Sequence, residues 1–247
     1  MRAYNANGDS SFSTDANATT AEVAGRAAHW KRDEGTGLSA ADSSGNANTG
    51  NLELGPTWVP GRVGTGLKFD GSSGGDDKVN AGNGTSVNNL GAMTVAAWIN
   101  VETVGEGGSP GRIVHKATGV SPLNGWQFCT QGTNQIGFSV DYDGTTNLVR
   151  TSAANAITLG SWHHVAVTWD GTATATNVLM YVDGAPVGSY ATTVDAAGAR
   201  VSDAGANIYL GNEPTSARTL DGVLDDVRVY NRVLSPTEIK AVVRAAL

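Results

Sequence analysis

The sequence lacks the features that mark disulfide-rich, membrane-spanning and nucleic-acid-binding proteins. A single cysteine, Cys129, excludes an internal disulfide, and its alternating surroundings predict a small buried hydrophobic residue. No run approaches the roughly 18 apolar residues that a membrane helix needs. The 16 basic residues are outnumbered by 23 acidic ones and form no cluster with interleaved aromatics. Neither membrane insertion nor nucleic-acid binding is therefore predicted.

Aromatic side chains are scarce too, at 6% of 247 residues, whereas glycine is abundant with 33 copies. Thr, Ser, Asn and Asp fill the stretches between short apolar runs. This composition is typical of many short strands joined by turns. A β-sandwich of this length commonly forms one domain.

The first 21 residues differ from the rest of the chain. They are small and polar with no apolar periodicity, which predicts a flexible arm or an arm that becomes ordered on a partner subunit. Residues 1–7 also lack the apolar core of a signal peptide, so none is visible. Residues 22–247 are predicted to form the folded domain.

Alternation of apolar and polar residues predicts strands over residues 93–101 and 162–169. In the second strand His163 and His164 fall on opposite faces, so they cannot share one metal ion. Asp183 and Gly184 separate two apolar runs and predict a hairpin turn, which favours an antiparallel topology.

A short helix is predicted at the C-terminal end. Ser235 suits the N-cap, Pro236 suits the first helical position, and Glu238 completes a capping box ahead of an apolar face.

Several motifs in a fixed order resemble one known family, the LamG-like domains of the concanavalin A-like lectin and glucanase superfamily. The resemblance extends from about residue 23 to the end of the chain and implies an all-β fold, a two-sheet antiparallel sandwich or jelly roll. Arg32 departs from it, since an aromatic is usual there. The matching segments are Trp30 with residues 33–37, then 41–46, 66–71, 93–99, 162–171, 179–184 and 220–232.

Catalysis is not predicted. Glucanases of the superfamily carry two glutamates on one strand, spaced Glu-x-Asp-x-x-Glu, whereas no two of the seven glutamates here have that spacing. The sequence has no phosphate loop, nucleophile elbow or zinc motif either. A glycan-active enzyme with unrecognised catalytic residues remains the less favoured alternative.

The resemblance also implies a structural calcium ion that ties the opening segment to the last long strand. Its expected ligands are Asp225 together with Asp33, Glu34 or Asp42. Strand alternation predicts that only one of Asp225 and Asp226 points at such a site. The alternative is that Asp42 makes an Asx turn, Asp225 lies on a solvated face and no metal binds.

The function predicted is a non-catalytic, lectin-like module that binds a glycan or surface polysaccharide, in an extracellular or surface-displayed protein. Aromatic candidates for sugar stacking are Trp58, Trp126, Tyr142 and Tyr190, and the polar loop 211–218 adds Asn212 and Arg218.

A second function stays open beside it. The chain could be an assembly or decoration protein of a virion or cell surface, in which the polar arm contacts other protein subunits.

Overall fold

Two antiparallel sheets stack on one another in the computed structural model, which describes residues 22–71, 77–105, 108–119, 124–215 and 217–245. It also places the backbone of two short paired strands, β1 (Tyr4–Asn5) and β2 (Gly8–Asp9). The predicted arm over residues 1–21 otherwise lies outside the described residues.

The nine-stranded sheet has short strands at one edge and longer strands at the other. Its order in space is β17 (Tyr190–Val194), β13 (Leu148–Ser152), β12 (Gln135–Val140), β11 (Trp126–Gln131), β10 (Arg112–Lys116), β18 (Tyr209–Leu210), β8 (Lys78–Asn80), β5 (Gly50–Glu53) and β4 (Ser39–Ala40).

The eight-stranded sheet is built around one long strand near the C-terminus. Its order is β16 (Ala185–Pro186), β15 (Leu179–Val182), β14 (Trp162–Trp169), β9 (Met93–Thr103), β19 (Asp221–Tyr230), β7 (Thr65–Asp70) and β6 (Thr57–Pro60). An eighth strand, β3 (Arg26–Trp30), also pairs with β19. Residues 221–224 of β19 pair with β7 and residues 227–230 pair with β3, so two strands share one edge of β19.

The core lies between the two sheets. Phe138 packs against Trp126 and Trp169 at ring-centroid distances of 6.4 and 6.3 Å, and all three side chains are buried. The predicted alternation holds, because the inward residues of β9 belong to this apolar layer and the polar residues face outward. The predicted all-β antiparallel sandwich is confirmed.

The Asp183-Gly184 hairpin is also confirmed. Asp183 and Gly184 have φ angles of 52° and 78°, the pair of positive values that a type I′ turn requires. The turn joins β15 to β16, and these two strands pair antiparallel.

One α-helix, α1 (Pro236–Ala245), follows the last strand. The nitrogen of Ser235 donates to Glu238 Oε2 at 2.8 Å, and the nitrogen of Glu238 donates back to Ser235 Oγ at 3.3 Å. This is the predicted capping box. Ile239 and Val242 pack on the outer face of the eight-stranded sheet, in a second apolar cluster. Within the described ranges, no helix has both the length and the apolar character to cross a membrane.

A β-bulge in β19 breaks the predicted alternation. On β9, Trp98 pairs with Asp225, and Ala96, two residues before Trp98, pairs with Arg228, three residues after Asp225. β19 therefore carries one extra residue at this point, and Asp226 has a φ of 47°. Neither Asp225 nor Asp226 points into the core, and both are buried on the outer face. Strict alternation would turn only one of them to this side, and the extra residue of the bulge turns both acids outward.

The core assignment makes Trp126→Ala a test of the sandwich. This residue has 0% exposure, so truncation is expected to lower the free energy of unfolding by about 3–5 kcal/mol through lost burial and a cavity. Trp162→Ala is the control: Trp162 is half-buried, so a smaller loss is expected. Urea denaturation of both variants measures this, and equal losses would contradict the packing.

Candidate functional site

A row of polar side chains crosses the outer face of the nine-stranded sheet. The register sets Tyr209 between Asn80 of β8 and His115 of β10. His115 in turn lies opposite Gln127, and Gln127 lies opposite Ser139. Each of these residues alternates with core residues on its own strand, so the row faces away from the core.

A cleft of about 230 Å³ opens at the Tyr209 end of this row, and we call it the Tyr209 cleft. Tyr209 is half-buried and is the one aromatic among the described residues that line it. The lining that the structure describes is made of small, amide and hydroxyl side chains without a charged residue: Ala117, Thr118, Gly205, Ala206, Asn207, Tyr209 and Pro214.

The polar groups of the Tyr209 cleft are fixed by an amide network. Asn207 Nδ2 donates to Asn80 Oδ1 at 3.1 Å, and Asn80 Nδ2 donates to Glu53 Oε1 at 2.9 Å. Burial raises the pKa of Tyr209; a hydrogen bond with Asn207 opposes this rise, and the charges of Glu53 and Glu213 add to it. The phenol is therefore protonated and available for hydrogen bonding at neutral pH.

A buried lysine anchors one wall of the cleft from beneath. Lys116 Nζ donates to the carbonyl oxygens of Ala206 at 2.7 Å and Asp203 at 3.2 Å. Asp203 also binds the side chain of Arg200 and accepts the backbone N–H of Asn89. Burial lowers the pKa of Lys116, and the nearby Asp203 raises it in part. The wall thus rests on a charge-assisted network that limits its movement.

The loop on the opposite side is held by two buried residues. Glu213 accepts hydrogen bonds from Thr215 N, Thr215 Oγ1 and Ala217 N. Burial raises the pKa of Glu213, but these bonds outweigh it and the pKa lies below its ordinary value. Asn212 Oδ1 accepts the backbone N–H groups of Glu213 and Arg218. Asn212, predicted to bind ligand, is fully buried and shapes this loop instead.

Two predicted sugar-stacking residues belong to the core. Trp126 is 0% exposed and Tyr142 is 7% exposed, and both lie in the apolar layer between the sheets. Neither can present its ring to a ligand, so both assignments are wrong. The sequence did not show which face of their segments the other sheet covers, so the inward direction of these two rings was not predicted.

The other predicted ligand residues lie at the surface but apart from the Tyr209 cleft lining. Trp58 donates to the carbonyl of Gly37, and the guanidinium of Arg150 stacks 3.7 Å over the ring of Tyr190. Arg218 is half-buried on the 211–219 loop. Tyr209 was not among the predicted ligand residues. Its two sequence neighbours, Ile208 and Leu210, are apolar, and this alternation already indicates that the ring of Tyr209 points outward.

Of the four predicted calcium ligands, the structure brings Asp225 and Asp33 to one place and leaves Glu34 and Asp42 apart. Asp225 and Asp33 lie at the 61–64 turn: Asp225 Oδ2 accepts Val63 N at 2.9 Å, and Asp33 lies against Gly64. Glu34, however, accepts the backbone N–H of Ala41. In the parts of the chain that the structure describes, no group of three His, Cys, Asp or Glu side chains could hold a metal.

Asp42 accepts backbone N–H groups in a turn of the opening segment. Its Oδ1 accepts the backbone N–H groups of Ser44 and His29, and its Oδ2 accepts Asn48 N. The bond to Ser44 makes the Asx turn that was the alternative to metal binding. These bonds lower the pKa of Asp42 although burial raises it.

A second polar cleft, of about 280 Å³, lies between β3, β19 and α1. His29 Nε2 lies 2.6 Å from Asp226 Oδ1, and burial lowers the pKa of His29. The two arginines that line this cleft already have acidic partners, since Arg26 pairs with Glu22 and Arg228 with Asp226. Lys31 lines the cleft as well. The contact of His29 with Asp226 ties β3 to β19, which gives the network a structural role.

The fold and the outward polar sheet define a lectin-type sandwich. A family model described as Laminin_G_3, of the concanavalin A-like lectin/glucanases superfamily, matches residues 73–240. The chain therefore belongs to this laminin G-like family. No curated protein sequence matches this chain.

Solved structures share the fold at low sequence identity. The binding domain of Paraclostridial mosquitocidal protein 1 has a TM-score of 0.65 and 16% identity over 89% of this chain and 52% of its own. The ligand-binding domain of botulinum neurotoxin serotype D has a TM-score of 0.63 and 14% identity over 89% and 50%. The chain thus spans about half the length of these two toxin domains.

A third neighbour is matched over its whole length. Domain 4 of AbnA, an extracellular arabinanase from Geobacillus stearothermophilus, has a TM-score of 0.57 and 18% identity, covering 90% of this chain and 100% of that domain.

The buried His115 predicts a pH-dependent stability. Burial, and then the charge of Arg112, lowers the pKa of His115 to about 4, whereas the same histidine in the unfolded chain has a pKa near 6.5. The unfolded state binds the proton first, so the free energy of unfolding falls as the pH falls from 6.5 to 4. Asp225, whose pKa burial raises to about 6, acts in the opposite direction between pH 3.8 and 6.

His115→Asn is therefore expected to flatten the acid side of the stability profile, by on the order of 1 kcal/mol per pH unit. His164→Asn is the parallel variant, because burial lowers the pKa of His164 to about 4 as well. Urea denaturation at intervals from pH 7 to pH 4 measures the slopes. A His115→Asn slope equal to the wild-type slope would contradict the assignment.

Proposed function

We propose that the chain is a non-catalytic glycan-binding module and that the Tyr209 cleft is its site. The observation that carries the proposal is one half-buried tyrosine ring set beside amide and hydroxyl side chains in a concave surface. Aromatic rings stack on the C–H faces of sugars, and fixed amides read the hydroxyl groups. Glycan and surface polysaccharide are accordingly the proposed partners.

The carboxylates near the cleft support binding rather than hydrolysis. Glu53 is hydrogen-bonded to Asn80, and Glu213 holds the 213–217 loop. Glycosidases need two carboxyl groups that flank the scissile bond, and the described lining of the Tyr209 cleft contains none.

The structural neighbours add support at the level of the ligand class. The serotype D domain is in complex with N-acetylneuraminic acid, and the arabinanase domain is in complex with arabinotriose. A botulinum neurotoxin DC binding domain, in complex with rat synaptotagmin II, binds a protein. We propose an extracellular or surface-displayed location because one of these neighbours is a domain of an extracellular arabinanase. The assembly alternative stays a prediction, because its arm lies outside the described residues.

Tyr209→Ala is expected to weaken saccharide binding about tenfold or more, since it removes the stacking surface. Tyr209→Phe keeps the ring and should retain most of the affinity. Trp162→Ala, which removes a half-buried aromatic of β14, is the matched control and should bind like the wild type.

A glycan array followed by calorimetry on the best ligand measures these affinities, with thermal unfolding as a check on folding. Absence of saccharide binding by the wild type, or unchanged binding by Tyr209→Ala, would overturn the proposal.

A further inference from the structure

We infer that the Tyr209 cleft selects neutral saccharides over those that carry carboxylate, sulfate or phosphate groups. This inference rests on the proposed function and specifies its ligand class. The two sugar-bound neighbours differ on this point, because N-acetylneuraminic acid carries a carboxylate and arabinotriose does not.

The lining lacks the groups that recognise anions. An acidic sugar is held by arginine forks or lysine ammonium groups, and none of the described lining residues is charged. The nearby amine of Lys78 already donates to Pro214 O at 3.4 Å and lies 4.0 Å from Glu53 Oε2.

Two carboxylates near Tyr209 disfavour an anion further, whereas the nearby ammonium groups of Lys78 and Lys116 are already bonded to the carbonyls of Pro214 and Ala206. Glu53 and Glu213 both act on the Tyr209 hydroxyl with negative charge and raise its pKa. The whole chain carries a formal charge of −7, so long-range attraction of an acidic glycan is absent as well. A neutral sugar encounters no such repulsion.

The size and rigidity of the cleft suit a short neutral segment. Its volume of about 230 Å³ lies below the roughly 300–1,000 Å³ of pockets for drug-sized ligands. Ala117, Gly205 and Ala206 leave the backbone close to the cleft, and the buried Lys116 holds the wall at Ala206. Preorganised walls favour selectivity, because little ordering is needed on binding.

Gly205 offers a gain-of-function test. A Cβ at this position would meet nothing within 4 Å, so a side chain there is sterically allowed. Gly205→Lys should place an ammonium group at the rim of the cleft and raise affinity for acidic oligosaccharides about tenfold. Gly205→Gln, similar in length but uncharged, is the matched control and should show no such gain.

Affinities for arabinotriose, a neutral gluco-oligosaccharide, N-acetylneuraminic acid and a uronic acid oligosaccharide are measured at 20 and 300 mM NaCl. The expected result is that the affinity for neutral sugars changes less than twofold between the two salt concentrations. The affinity for acidic sugars should be at least tenfold lower. Equal or stronger binding of acidic sugars that Tyr209→Ala abolishes would overturn the selectivity and keep the proposed function. Binding of none of these sugars or of any array glycan would overturn both.

A different observation carries a second inference: we propose that Arg32 is the built-in counter-cation of Asp225, at the place where the family resemblance implies calcium. Arg32 is 0% exposed, and its guanidinium nitrogens have no hydrogen-bond partner among the described residues. Arg32 O accepts Thr65 Oγ1 at 2.7 Å, and a Cβ on Gly61 would meet both Thr65 O and Asp225 Oδ2, so Arg32 and Asp225 both lie at the 61–65 turn. Asp225 Oδ1 likewise has no hydrogen-bond partner among the described residues. Burial lowers the pKa of Arg32, and the charge of Asp225 opposes this effect. An isolated buried charge is costly, so a compensating pair is required there.

The donors at this place do not suit calcium, which takes about six to eight oxygen ligands. Asp225 Oδ2 accepts Val63 N, and the carboxylates of Asp42 and Glu34 accept backbone N–H groups elsewhere. Of the other predicted ligands only Asp33 lies at the same turn, so two carboxylates are present where calcium needs about six oxygens. Burial lowers the pKa of Arg32 only to about 10, so the guanidinium stays charged at neutral pH and repels a divalent cation.

The test is thermal unfolding of the wild type, Arg32→Met, Asp225→Asn and the double variant, each in CaCl₂ and in EDTA. We expect that calcium does not change the melting temperature of the wild type and that each single variant melts at a lower temperature. The decrease in melting temperature of the double variant should be smaller than the sum of the two single decreases. Stabilisation of the wild type by calcium that Asp225→Asn abolishes, or strictly additive losses, would overturn the proposal.

Discussion

Burial of one apolar layer between two sheets is the constraint on which the remaining structure depends. The layer takes up half of the described aromatic rings, including Trp30, Trp126 and Trp169. Of the described aromatics only Trp58, Trp162, Tyr190 and Tyr209 are half-buried rather than buried. Among these four rings, Tyr209 is the one that lines the cleft on the polar face of the nine-stranded sheet. Packing of the core therefore leaves four partly exposed rings, of which Tyr209 belongs to the proposed site.

Buried charges then shape the loops above that face. Lys116 and Glu213 are both fully buried, and each has carbonyl or N–H partners in the loop that it supports. Such groups are costly without partners, so removal of the loop contacts would leave a charge without compensation. The loops are consequently held in one arrangement, although the strand that carries Tyr209 is only two residues long. The site depends as much on these two charges as on the sheet itself.

Much of the fold follows from local pattern. Alternation in residues 93–101 and 162–169, the Asp183-Gly184 turn and the Ser235 to Glu238 capping box all specify structure through neighbours in sequence, and the structure confirms them. The bulge at Asp225 and Asp226 was not predictable in this way. It arises where β19 exchanges β7 for β3 as a partner, a long-range event that leaves no local signal. The inward placement of Trp126 and Tyr142 likewise depends on which face the opposite sheet covers.

The central claim is that a neutral saccharide binds over Tyr209 on the nine-stranded sheet. Nuclear magnetic resonance titration of the isotope-labelled protein with a neutral oligosaccharide tests this claim most directly. The account predicts that the largest shifts fall on Thr118, Gly205, Asn207 and Tyr209, while residues of the eight-stranded sheet stay unchanged. Shifts confined to the eight-stranded sheet or to the rings of Trp58 and Trp162 would contradict it.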